Sequence, residues 1–150
     1  MPPTIPFGNA VLCDYVGKGE ANKSVLVNVY SGDVILTTMP AFLQLGFYVE
    51  LLPRKNREAG TEVHLKLNGK SVFDVHMEGA HGTDVAVCAL QSFPLQIEEE
   101  GIFEIIGEAK GYETTVFLRK KIINGQTSPI VSLQPSTQSL TSRKRTKKLL

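Results

Sequence analysis

Apolar side chains recur at every second position across most of residues 8 to 123, and Gly, Asn, Asp or Pro breaks the alternation roughly every ten residues. Successive side chains of a strand point to opposite faces, so this period describes strands with one face buried. Short, regularly punctuated strands describe an antiparallel sandwich or barrel. The pattern predicts an all-β fold, an antiparallel β-sandwich of about eight strands with a flexible basic C-terminal tail. The strand segments are Asn9 to Val16, Ser24 to Tyr30, Asp33 to Thr38, Leu45 to Leu52, Glu62 to Leu67, Ser71 to Glu78, Asp84 to Gln91 continuing through Leu95 to Ile97, Ile102 to Glu108, and Glu113 to Ile122. No stretch carries the spacing of an amphipathic helix. Ser31-Gly32-Asp33 supplies turn residues for a hairpin into Val34 to Leu36. Val85, Val87 and Ala89 alternate with Ala86, Cys88 and Leu90, which predicts a central strand covered on both faces.

The turn at Asn68-Gly69 tests how far pattern fixes register. A plain two-residue loop sets Leu65 against Val72 and Val63 against Asp74, mixing an apolar row with a polar one. A shift by one pairs Leu65 with Phe73 and Val63 with Val75, and requires a three-residue loop or a bulge near Gly69. The shifted register is preferred. It places His64 opposite Asp74 and Glu62 opposite His76 on the polar face.

The chain's 150 residues suit one domain, and its 42% hydrophobic and 21% charged content exclude a wholly disordered chain or a membrane bundle. No export signal opens the sequence, and no apolar run approaches the ~20 residues of a membrane span. Cys13 and Cys88 stand in apolar contexts, as buried free thiols of a reducing, cytoplasmic compartment do. Charge divides the chain. Arg143, Lys144, Arg145, Lys147 and Lys148 place five cations in the last eight residues, while residues 1–142 hold 11 bases against 15 acids, a net of −4. Between them runs a tract rich in Ser, Thr, Gln and Pro, interrupted by Ile130, Val131 and Leu133. The division predicted is a sandwich over 1–123 and a polar linker with basic tail over 124–150.

The run Ala10 to Val16 with Asp14 inside it, the Lys23-led strand to Tyr30, the turn Ser31-Gly32-Asp33 and then Pro40 make up a recognisable opening. It resembles that of a family of small uncharacterised bacterial and phage β-sandwich proteins. Gly101 to Ile106 and the closing strand to Ile122 fit the same shape. The resemblance implies a sandwich and a bacterial or phage source, and carries no activity to any residue. Asp14 is its most distinctive polar position, read here as an edge or turn-capping carboxylate met by backbone donors in preference to a ligand contact.

Several chemistries lack their residues. Gly17-Lys18-Gly19 and Gly79-Ala80-His81-Gly82 miss the phosphate-loop spacing, no Gly-x-Ser-x-Gly elbow occurs, and neither cysteine sits in a Cys-x-x-Cys pair. His76-x-Glu78 matches half of a deaminase signature without its cysteine half. His64, Asp74 and His76, with Glu62 on the same face, are the candidate metal ligands, weighed against ordinary cross-strand surface pairs. Glu98-Glu99-Glu100 reads as a solvated turn rather than a calcium loop. Arg54, Lys55 and Arg57 join the tail cations as candidate phosphate or partner contacts. Phe42, Phe47, Tyr48, Phe73, Phe93, Phe103 and Phe117 mostly take alternating core positions, which leaves no base-stacking platform.

The function expected is a non-catalytic binding or assembly module that engages a protein through sheet edges or loops, with a homo-oligomer open and with no cofactor or membrane. The alternative is a nucleic-acid-associated protein using the tail. A metal-dependent enzyme is the second alternative.

Overall fold

The structure, a computed structural model, describes residues 2–55, 59–78 and 85–126. Nine strands lie among them: β1 (Phe7–Lys18), β2 (Ser24–Val29), β3 (Val34–Leu36), β4 (Ala41–Leu51), β5 (Thr61–Leu67), β6 (Lys70–Met77), β7 (Ala86–Ile97), β8 (Gly101–Glu108) and β9 (Thr115–Asn124). No α-helix occurs among the described residues, so none there is long and apolar enough to cross a membrane. The strands form two sheets, ordered β2-β1-β4-β7 and β3-β9-β8-β5-β6.

Both sheets turn their alternating apolar residues toward one shared core. Leu12, Phe47, Val49 and Cys88 enter it from the four-stranded sheet, and Val63, Leu65, Phe103, Ile105, Phe117 and Ile122 from the five-stranded one. Phe7 of β1 meets Phe117 of β9 edge-on at 4.9 Å, and Phe73 of β6 meets Phe93 of β7 at 5.3 Å. Ahead of β1, fully buried Ile5 is held by its N–H, which donates to Thr115 Oγ1 at 2.8 Å.

The shifted hairpin register is the one observed: Val63 pairs with Val75, Leu65 with Phe73, His64 with Asp74 and Glu62 with His76. The loop itself has only two residues. Asn68 and Gly69 both take positive φ, 52° and 82°, the conformation of a type I′ turn, and the odd residue is absorbed by a bulge that leaves Val72 unpaired.

Other expectations are corrected. The segments expected to pair as a hairpin across Ser31-Gly32-Asp33 lie in different sheets, and β3 runs parallel to β9. Side chains at the crossing explain the switch. Asp33 Oδ1 accepts the Lys121 N–H at 3.0 Å and Lys120 Nζ donates to the Gly32 carbonyl, while Val34 and Leu36 enter the core. The strand expected at the centre, β7, is an edge strand, and Val87 on it and Val85 just before it are open to solvent. Phe42 is also no core residue: it is 77% exposed, because it lies an odd number of positions from Phe47 and so faces the other way.

Candidate functional site

The outer faces of the two sheets differ in chemistry. On the five-stranded sheet, antiparallel register sets imidazoles against carboxylates. His64 Nδ1 lies 2.5 Å from Asp74 Oδ1, and His64 Nε2 lies 3.6 Å from Glu108 Oε2. His76 Nδ1 bonds Glu62 Oε1, and its Nε2 lies 3.6 Å from Glu78 Oε1. Ser71, brought round by the Val72 bulge, donates to the Asp74 carboxylate, and this bond together with His64 lowers the Asp74 pKa. Each imidazole thus lies between two carboxylates of its own, His64 between Asp74 and Glu108 and His76 between Glu62 and Glu78. Among the described residues no group of three or more His, Cys, Asp or Glu side chains is placed to hold a metal ion. His81 and Asp84 lie outside the described residues.

The Asp14 carboxylate is met by a side chain rather than by the backbone donors expected for it. Asn28 Nδ2 donates to Asp14 Oδ2 at 3.0 Å. Burial, and then the neighbouring Asp14 charge, push Tyr30 up to about 12. In the loop after β4, Arg54 Nη2 donates to Gly60 O at 3.2 Å and Thr61 Oγ1 at 2.7 Å, and the guanidinium lies 5.3 Å over the Tyr112 ring. Tyr112 donates in turn to the Lys55 carbonyl. Arg54 therefore fastens its own loop. Arg57 and the tail cations Arg143, Lys144, Arg145, Lys147 and Lys148 lie outside the described residues.

The outer face of the four-stranded sheet is the one that pattern reading missed. Tyr15, Val25, Val27 and Val29 share this side through the pairs Tyr15 with Val27 and Cys13 with Val29. Val87 lies there opposite Glu50, and Phe42 lies there on β4. Tyr15 and the valines 25, 27, 29, 85 and 87 are each between 40% and 51% exposed. Pairing of β1 with β4 ends at Cys13 opposite Gly46. Beyond it β1 crosses toward β7: the Asp14 carbonyl accepts from Ser92 Oγ at 3.1 Å, and Gln91 Nε2 donates to Tyr15 Oη at 2.5 Å. At the β4–β7 register shift, a Cβ at Gly46 would stand 2.7 Å from the Gln91 carbonyl oxygen of β7. The bent β1–β2 hairpin and the outer sides of β4 and β7 enclose a groove of about 1380 Å³ lined by Tyr15, Lys23, Tyr48, Val85, Val87 and Gln91. That exceeds the roughly 300–1,000 Å³ of small-molecule sites.

Asn9, Tyr48 and Glu50 on this face bond one another. Glu50 Oε1 accepts the Asn9 N–H and Asn9 Nδ2, both at 3.0 Å, and Oε2 accepts the Tyr48 hydroxyl at 2.9 Å. The backbone donor comes free because β1 bulges between Phe7 and Ala10, and these bonds hold the Glu50 pKa below the usual carboxylate range. Ser92 Oγ also donates to Gln44 Oε1 at 3.0 Å.

The sheet margins are poor templates for an added strand. Asn28 in β2 has φ 54°, Pro94 interrupts β7, β3 has three residues, and β6 carries the Val72 bulge.

Both cysteines are buried and free. Burial pushes the Cys88 thiol up to about 11 and also raises Cys13. Because the folded state retains the Cys88 proton that the unfolded chain releases near 9, this contribution to stability is full below about pH 9 and is lost as pH rises toward 11. At pH 8 neither thiol is expected to react with an aromatic disulfide reagent until denaturant unfolds the chain; prompt reaction of one thiol per chain in the native state contradicts the placement.

No family model, curated protein or solved structure matches the chain.

Proposed function

We propose that the chain is a β-sandwich binding or assembly module without catalysis, and that it docks a protein partner on the outer face of the four-stranded sheet. One observation carries this: Tyr15 and the valines 25, 27, 29, 85 and 87 stand exposed beside polar side chains of β4 and β7, Tyr48, Glu50, Gln91, Ser92 and Gln44, that are already hydrogen-bonded, so that covering these apolar residues removes their surface from water and strands few of those donors or acceptors. The face suits a partner better than the sheet edges do, given the devices at those edges. The five-stranded sheet's face, with its paired imidazoles and carboxylates, reads as a solvated surface. A cytoplasmic setting in a bacterium or phage-infected cell accords with the resemblance of the opening strands.

The test is capture from lysate of the protein's own cell, with nuclease present and absent. The baits are the full chain, the full chain with the five tail cations changed to Gln, and Val87→Glu. A defined protein retained by the first two baits despite nuclease, and lost at least tenfold with Val87→Glu, is the expected result. Material lost with the tail charges or with nuclease overturns it in favour of phosphate binding by Arg143 to Lys148.

A further inference from the structure

Beside the first half of β4 the four-stranded sheet has a gap. β7 pairs with residues 41–45, but the β1 ladder stops at Cys13 opposite Gly46, so among the described residues no strand takes the other side of 41–45. Every second residue there turns its N–H and C=O into the gap, a short template for an added strand. The devices at the sheet margins do not reach it. Leu43, packed against the core, stays half-buried beside it, and Phe42 is open to solvent.

The end of β9 leads to this gap. β9 packs beneath β1, where Phe117 meets Phe7, and β1 is the strand whose place beside 41–45 is empty. Asn124 pairs in parallel with Leu36, and the Gly125 N–H donates to the Leu36 carbonyl at 3.0 Å. From Leu36 the chain passes straight on into β4. Six positions separate Leu36 from Phe42, and six separate Asn124 from Ile130, which opens the apolar run Ile130-Val131-Ser132-Leu133 of an otherwise polar tract. From these placements we infer that residues 130–133, which lie outside the described residues, add to the open side of β4 as a parallel strand, Ile130 beside Phe42 and Leu133 beside Leu45.

Reach and chemistry agree. Gln126 is the last described residue, and four residues span up to about 14 Å, more than the roughly 10 Å between packed sheets. Neighbours on parallel strands point the same way, so Val131 and Leu133 join Leu43 and Leu45 on the core side. Ser132 stands with Gln44 on the outer side, and Ile130 flanks Phe42 while leaving its outward face in water. Pro129 precedes the run and Pro135 follows it; neither can donate to a ladder, which confines the added strand to these residues. A strand held there closes the β4 edge to strands of other molecules and anchors the chain ten positions before Arg143.

Amide hydrogen exchange of the full chain, read by NMR, tests the inference. Alternate amides of 130–133 are expected to exchange at least about a hundredfold more slowly than those of 136–142, equally at low and high protein concentration. Val131→Asp, which sets a carboxylate against Leu43, is expected to abolish that protection and to speed exchange at alternate amides of 41–45, while the β5–β6 hairpin keeps its own. Exchange in 130–133 as fast as in 136–142 overturns the inference. Protection that grows with protein concentration overturns it too, since the strand beside β4 would then come from another molecule. Val131→Asp that leaves exchange in 41–45 unchanged also overturns it, by placing the run elsewhere. The partner on the outer face is a separate matter: lysate capture that fails while 130–133 stay protected removes that reading and leaves this one.

Discussion

Phe47→Ala is expected to lower the unfolding free energy by about 3–5 kcal/mol, a large fraction of the roughly 5–15 kcal/mol that holds a domain together. Phe47 is fully buried at the middle of the four-stranded sheet, paired with Leu12 of β1 on one side and Leu90 of β7 on the other. Both neighbours are fixed by ladders, so the cavity left by the ring cannot close by moving one loop. Urea unfolding should show a lower midpoint with an unchanged slope, since the surface exposed on unfolding hardly alters. Phe42→Ala on the same strand is the internal comparison. Phe42 is 77% exposed on the opposite side, so its removal should change stability by less than about 0.5 kcal/mol. Equal losses at the two positions would contradict the strand's assigned facing.

Those two phenylalanines also show what the sequence discloses. Alternation reports where strands lie, and in the β5–β6 hairpin it reports register, because opposing rows there are distinct: Val63 and Leu65 against Val75 and Phe73, His64 against Asp74. Pairs across one turn need only local information. Ser71 joins that cluster through a bulge and Glu108 through β8, a strand that follows much later in the chain, and alternation encodes neither. The switch of sheet between β2 and β3 is invisible for the same reason, since β3 looks alike whether it pairs with β2 or runs beside β9. For β7, apolar residues on both sides are compatible with a second cover or with an unpartnered apolar face; hydrophobicity records what a residue favours, not what meets it. Glu50 gives a weaker signal still, because its role arises from the Asn9 bulge across a strand pair.

Gly46→Val is expected to cost about 3 kcal/mol or more, the upper part of the overpacking range. A Cβ at Gly46 meets the Gln91 and Leu90 carbonyl oxygens at 2.7 and 2.9 Å, and main-chain atoms in a ladder cannot rotate aside as a side chain can. Either the β4–β7 bulge between Leu45 and Phe47 opens locally, or the Gln91 segment of β7 shifts and carries its side chain away from Tyr15. A double-mutant cycle with Tyr15→Phe decides between them. In the wild-type background, removing the Tyr15 hydroxyl leaves Gln91 without that partner and should cost about 0.5–1.5 kcal/mol. If Gly46→Val has already moved Gln91 away from Tyr15, the second change costs nothing further; if the two losses add, the strain is confined to the bulge and the Tyr15–Gln91 bond survives. Gly32→Ala separates steric from conformational cost, because Gly32 has φ 78° with nothing within 4 Å of its Cβ position. It should lose only about 1 kcal/mol, from the left-handed backbone alone. A Gly46 variant no worse than the Gly32 one would contradict the close approach of the β7 backbone to Gly46.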